Sequence, residues 1–271
     1  MNIGIVGLGL IGGSMAKAIK ANTAHTVYGF NSSTNAIYAA QLYGAIDAVL
    51  DERTLPLCDC VIVSIPPRAT EDYIRENASQ LRKDALVVDC CGVKRSITDS
   101  MHDLATAQSF TFMGGHPMAG KAASGFKASS AYLFKGATMI LTPYPETAIS
   151  KREQARDLFL SVGFKKVHFS TPEIHDRKIA YTSQLPHLIS NAYAKSMTAE
   201  GSEDVAAGSY RDMIRVSKFN ESMWTELFME NRDYLIPELD NFIAWLEKYS
   251  QTLKAADPEA MESLLREGGE G

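Results

Sequence analysis

No apolar run in this sequence approaches the ~20 residues needed to cross a bilayer. No cysteine pair has the C-x-x-C spacing of a zinc or redox site. Its four cysteines are Cys58, Cys60, Cys90 and Cys91. They sit in or at the end of apolar runs and read as small buried thiols on strands, not as a disulfide framework. Reduced thiols suit the cytoplasm. Positive charge is also scarce: 27 Lys and Arg face 32 Asp and Glu, a net −5. That mild acidity argues against a nucleic-acid or anionic-membrane protein, since both call for a clustered positive field. Met1-Asn2 leads straight into an apolar strand with no basic stretch and no cleavage site, so no secretory signal is expected. No His/Asp/Glu cluster has metal-ligand spacing, so no metal is expected. What is present is 271 residues, 45% hydrophobic and 22% charged, which suits a globular protein of two domains.

The first part of the chain alternates short apolar runs with helical stretches. Strands are expected at Ile3–Val6, Thr26–Phe30, Cys60–Ile65, Ala85–Asp89, Phe110–Met113, Thr138–Leu141 and Lys166–Ser170. Helices are expected at 10–21, 33–43, 68–81, 94–106 and 151–162, with Gly44 as a left-handed stop. Strands apolar at every position belong to sheets covered on both faces. The alternation predicts a doubly wound, mostly parallel α/β sheet over residues 1–170. After Pro172 no strand-like run recurs and apolar residues follow helical spacing, which predicts an all-helical domain over 171–271. The tail, Gly268 to Gly271, is expected to fray.

Gly7-Leu8-Gly9-Leu10-Ile11-Gly12 places a G-x-G-x-x-G between the first strand and the first helix. The first glycine permits the tight turn, the second lets a pyrophosphate reach the backbone, and the third lets helix and strand pack closely. The helix N-terminus favours the anion. All six residues are expected to bind a dinucleotide, together with Ser64 and Pro66 at the end of the third strand. The end of the second strand should choose the cofactor. An acidic residue there would bond the ribose 2′-hydroxyl of NAD. This chain has Asn31, Ser32, Ser33 and Thr34 instead, with no carboxylate to repel a 2′-phosphate and no arginine to attract one. The reading is NADP or NAD, leaning to NADP. Ser32 or Ser33 can equally serve as a helix cap.

Gly114-Gly115-His116-Pro117-Met118-Ala119-Gly120 holds a histidine among glycines just after a strand. That places it at the carboxyl edge of the sheet, where doubly wound folds bind ligands. A histidine titrates near neutrality and can take the proton of a hydroxyl while hydride leaves the same carbon.

Nearly the whole chain resembles the prephenate and arogenate dehydrogenases of tyrosine biosynthesis. The resemblance rests on the N-terminal Gly-rich turn, the Gly-Gly-His-Pro-Met-Ala-Gly segment, and His175-Asp176 leading to Ser183-Gln184-Leu185-Pro186-His187. It continues through Tyr210-Arg211-Asp212-Met213-Ile214-Arg215 to Met223-Trp224. It implies NAD(P)-dependent oxidation of a cyclohexadienol with loss of CO2, giving 4-hydroxyphenylpyruvate from prephenate. It also implies that His116 deprotonates the ring hydroxyl and that His187 is a second active-site histidine. Arg215 would bind a carboxylate, with Arg211 one helical turn earlier, and Trp224 and Gln184 would line the substrate pocket. The family often has a serine where this chain has Gly92, and a histidine where it has Gln184. The remaining histidines, His25, His102, His168 and His175, read as structural or surface groups.

Two carboxylates on the substrate call for fixed cations, and arginine offers a planar fork that lysine cannot. Against this reading stand arogenate as the substrate, another two-domain dehydrogenase such as a 3-hydroxyacid dehydrogenase or imine reductase, and a nucleotide-sensing protein without turnover. A homodimer is expected through the helical domain. Met223, Trp224, Leu227, Phe228, Leu235, Ile236, Leu239, Phe242, Ile243, Trp245 and Leu246 crowd one stretch, and helices apolar on more than one side need a second partner.

Overall fold

The computed structural model describes residues 1–121, 123–196 and 206–267; the tail expected to fray lies outside them. Eight strands form one sheet: β1 (Asn2–Val6), β2 (Thr26–Phe30), β3 (Ala48–Val49), β4 (Cys60–Val63), β5 (Leu86–Asp89), β6 (Thr111–Pro117), β7 (Thr138–Thr142) and β8 (Lys166–Phe169). Their order is β3-β2-β1-β4-β5-β6-β7-β8. Every neighbouring pair is parallel except β6 and β7. The helices of this part are α1 (Leu10–Asn22), α2 (Thr34–Leu42), α3 (Pro67–Asn77), α4 (Arg95–Gln108) and α5 (Ile149–Val162). A 3-10 turn over Ala78–Gln80 follows α3, so the helix ends short of Leu81. Gly44, at φ +63°, turns the chain after α2.

Successive side chains on a strand point to opposite faces, and here both faces are apolar. Ile3, Ile5, Cys60, Ile62, Leu86 and Val88 pack on one side with Met15 and Ile19 of α1 and Phe159 of α5. Val61, Val63, Val87 and Phe112 pack on the other with Ile74 of α3 and Ile97 and Met101 of α4. This double covering is why the strands read as unbroken apolar runs.

The remaining helices are α6 (Pro172–Ile179), α7 (Leu185–Ala194), α8 (Gly208–Ile214), α9 (Glu221–Glu230), α10 (Arg232–Ala255) and α11 (Pro258–Arg266). Between α6 and α7 lies a π-helical turn, Ala180–Gln184. Pro186, in the first turn of α7, has no N–H to give and crowds the carbonyl four residues back, so regular α-helical bonding is interrupted there. The chain packs as two compact units, Met1–Asp176 with Lys218–Glu230, and Arg177–Ser217 with Asn231–Gly271. The segment carrying α9 thus belongs with the sheet. Among the described residues no helix is long and apolar enough to cross a membrane.

Candidate active site

The glycine turn is built as a phosphate cradle. Gly7 has φ +87°, and a Cβ there would lie 2.6 Å from the Ser64 carbonyl oxygen. A Cβ on Gly12 would overlap the carbonyl oxygen of Gly7. Around Gly9 nothing stands within 4 Å of a Cβ position among the described residues. Two glycines are therefore needed for packing and one opens onto space. Gly9 is the N-cap of α1 and makes no side-chain cap, so the first-turn N–H groups face that opening. Ser64 Oγ is buried with no oxygen or nitrogen partner among the described residues, and it lies 2.9 Å from the Cβ position of Gly12. An open cradle with a buried hydroxyl beside it fits a dinucleotide. Leu8 donates its N–H to Asn31 Oδ1 at 2.9 Å, so Asn31 braces the turn. Ser32, Ser33 and Thr34 are exposed. Ser33 occupies the N-cap position of α2, but its hydroxyl makes no cap bond. Pro66, exposed, precedes α3 as its N-cap.

The sequence reading placed His116 after a strand; it lies inside one. β6 runs on past the end of β5, because its last four residues, Gly114 to Pro117, gain antiparallel partners on β7. That added pairing holds the histidine backbone rigidly beyond the carboxyl end of β5. Gly115 donates its N–H to Asp89 Oδ1 at 3.0 Å, and a Cβ on Gly115 would come within 2.5 Å of the Asp89 carbonyl oxygen. Asp89 Oδ2 accepts the N–H of Cys91 at 2.8 Å and pairs with the ammonium of Lys94.

His116 Nδ1 is 2.9 Å from Nε2 of His175. His175 Nδ1 is in turn 2.7 Å from Asp176 Oδ1. Asp176 also accepts the backbone N–H groups of Lys94 and Arg95, at 2.8 and 2.9 Å, at the start of α4. Burial, the neighbouring His175 and the charge of Lys94 hold His116 well below the ordinary histidine range. His175 is lowered as well, by burial that outweighs its contact with Asp176. Burial alone would raise Asp176, yet the hydrogen bonds from His175 and from the Arg95 and Lys94 backbone outweigh it and hold the carboxyl below its usual range. His175, expected from the sequence to be a structural or surface group, is thus a buried partner of His116. The only hint was its adjacency to Asp176 in the family-like segment.

Gly92 also borders this histidine. A Cβ there would lie 4.0 Å from His116 Cε1 and 3.3 Å from both terminal methyls of Leu227. The place where the family often carries a serine is therefore next to His116, and Leu227 of α9 fills it. Trp224, half-buried on the same helix, packs against Phe219 and Phe228, with ring centroids 5.4 and 5.1 Å away.

Gln184, His187, Arg211 and Arg215 belong to the second unit. Gln184 is buried, and its side-chain oxygen accepts from Asn231 Nδ2 at 2.7 Å. His187, half-buried on α7, bonds through Nδ1 to the Ser183 carbonyl at 2.8 Å. A carbonyl only accepts, so Nδ1 carries the proton. Arg211 and Arg215 are both exposed, and Arg215 donates its N–H to the Arg211 carbonyl at 3.0 Å. They are one helical turn apart, as their spacing predicts.

A glycine cradle at one end of a mostly parallel sheet, a hydrogen-bonded histidine pair beyond that same edge and a separate helical unit define a dinucleotide-binding oxidoreductase. The nucleotide-binding domain of prephenate dehydrogenase matches residues 15–168, and the prephenate dehydrogenase dimerization domain matches 171–267. The chain belongs to the prephenate dehydrogenase family. It is 31% identical to the prephenate dehydrogenase of Bacillus subtilis over 97% of this chain and 72% of that one. It is likewise 31% identical to the cyclohexadienyl dehydrogenase of Zymomonas mobilis, over 98% and 93%. The fold superposes, with a TM-score of 0.85 and 27% identity, on the crystal structure of prephenate dehydrogenase from Aquifex aeolicus in complex with hydroxyphenyl propionate and NAD+. That comparison covers 98% of this chain and 95% of the other.

Proposed function

We propose that this chain catalyses the oxidative decarboxylation of prephenate to 4-hydroxyphenylpyruvate, as a homodimeric cytoplasmic enzyme that prefers NADP to NAD. The observation that carries the reading is His116, held on β6 beyond the end of β5 with Nδ1 bonded to His175. The nicotinamide, when bound, supplies the hydride acceptor. The chain's own residues do the rest. Gly7 to Gly12, with Asn31, Ser32, Ser33, Ser64 and Pro66, hold the dinucleotide. His116 takes the proton of the ring hydroxyl. His187 orients the ring, with Gln184 and Trp224 in the same role. Arg215 and Arg211 bind the carboxylates as charge-assisted pairs. Aromatisation on loss of CO2 drives the reaction, so no metal is called for. Residues 1–170 serve the cofactor, and 171–271 serve substrate and dimer.

The lean to NADP is supported by the end of β2, where Asn31 is engaged with Leu8 and the three hydroxyl residues after it are exposed, with no carboxylate among them. The dimer is supported by α10. Ile236, Ile243, Leu246 and Leu253 are 43–69% exposed and fall within about a third of the helix circumference. Such a stripe needs a partner. Steady-state kinetics with prephenate and arogenate, each against NADP and NAD, tests the reaction. Turnover of arogenate alone reassigns the substrate, and cofactor binding with no turnover of either makes the protein a sensor. A light-scattering mass of one chain at micromolar concentration removes the dimer.

A further inference from the structure

The hydrogen bonds of His116 determine which of its nitrogens is bare. Asp176 receives donors on both oxygens: Lys94 N–H and His175 on Oδ1, and Arg95 N–H and Nε on Oδ2, the last at 3.3 Å. It is held as a carboxylate and can only accept. His175 Nδ1 must therefore carry a proton. His175 is neutral because its burial disfavours the cation, so its Nε2 is a lone pair. His116 Nδ1, 2.9 Å away, must then be the donor. The tautomer of an imidazole is set by the bond its other nitrogen makes.

We propose that His175 and Asp176 are positioning residues that lock His116 in the Nδ1–H tautomer and present its Nε2 lone pair to the substrate hydroxyl. This rests on the reaction proposed above. In that reaction the substrate O–H bond breaks and an Nε2–H bond forms on His116. Hydride leaves the same carbon for the nicotinamide, and the ring carboxylate leaves as CO2 with its bonding pair passing into the ring. His116 then returns the proton to the phenolate oxygen, so no net proton is released. While His116 is an imidazolium, its Nδ1–H still bonds His175, and the charge of Asp176 reaches it through that ring. The charged groups around the pair are Asp176 from α6, Asp89 at the end of β5 and Lys94 before α4. Lys94 and Asp89 neutralise each other, and Arg95 at the start of α4 pairs with Asp176 Oδ2 at 3.3 Å, while Asp176 Oδ1 faces His175.

The decisive measurement is 15N NMR of the intact wild-type protein labelled at histidine, at neutral pH. His116 is expected to show a protonated Nδ1 and a bare Nε2. The reverse assignment overturns the proposal, whether or not the enzyme turns over prephenate. Kinetics supply the second readout. His175→Ala should lower kcat by about ten- to a thousandfold, within the worth of a positioned base, with the KM for substrate changed less than threefold. The same variant admits water beside His116, so the acid limb of its kcat/KM profile should move up in pH. His175→Gln, which can both accept from His116 and donate to Asp176, should recover at least tenfold over the alanine variant. A kcat within threefold of wild type in His175→Ala, with an unmoved acid limb, rejects the role. If that variant does not fold, the wild-type NMR assignment decides alone. Absence of wild-type turnover on prephenate and arogenate would refute the reaction and leave the tautomer result standing by itself.

Discussion

The ammonium of Lys94 and the carboxylate of Asp89 are paired with no exposed side-chain surface on either. The same carboxylate accepts N–H groups from Cys91 and Gly115, so this pair anchors the strand that carries His116. Removing one partner of a buried pair strands the other charge, at a cost of about 3–5 kcal/mol. Lys94→Met should lose stability in that range by urea unfolding. A loss under 1 kcal/mol would show that Asp89 is satisfied without the lysine.

His116→Asn should leave the fold and cofactor binding intact and cut turnover by about 10²–10⁴, the usual contribution of a positioned general base. A near wild-type kcat removes His116 from the chemistry.

His116 must be neutral to accept a proton, and its environment holds it well below the ordinary histidine range. The acid limb of the wild-type kcat/KM profile should therefore fall below pH 6.5. Stability carries the same sign. The unfolded chain binds these protons near pH ~6.5, while folded His116 and His175 bind them only at lower pH. Protonation thus favours the unfolded state, and stability should decline as the pH drops below about 6.5. Unfolding curves from pH 5 to 8 measure this, and a stability contribution rising toward acid would contradict it.

Arg215→Ala should mainly weaken substrate binding. A charge-assisted bond to a carboxylate contributes about 1.5–3 kcal/mol, so KM should rise roughly tenfold to a few hundredfold. An unchanged KM with a lower melting temperature would make Arg215 an ordinary surface residue.

Gly12→Ala would force a methyl into the Gly7 carbonyl. The turn would have to open, and dinucleotide binding should fall by at least tenfold in a fluorescence titration of NADPH. Gly9→Ala meets no atom within 4 Å among the described residues and should fold normally, so any lost affinity there reports the ligand. Full binding by both variants would place the pyrophosphate elsewhere.

Local chemistry carried much of this molecule. The apolar runs at 26–30 and 86–89, the glycine turn before α1 and the glycine stop after α2 are each specified by residues within a few positions of one another, so periodicity and turn residues reveal them. The Gly-Gly-His-Pro segment was equally visible as a candidate site. What lay beyond reach depends on partners far apart in the chain. The extension of β6 through His116 exists because β7 pairs with it antiparallel, and β3 is two residues long and defined only by its bonds to β2. His175 is 59 residues from His116, and no periodicity links them. The bond from Asn231 to the Gln184 side-chain oxygen joins residues 47 apart, because a buried amide needs a partner and no local pattern announces which. Local sequence alone marked most of the strands and helices and the residues able to do acid–base chemistry. Tertiary structure decided which nitrogen of His116 is free, because the hydrogen bond from His116 to His175, which in turn donates to Asp176, is made only when distant segments pack together.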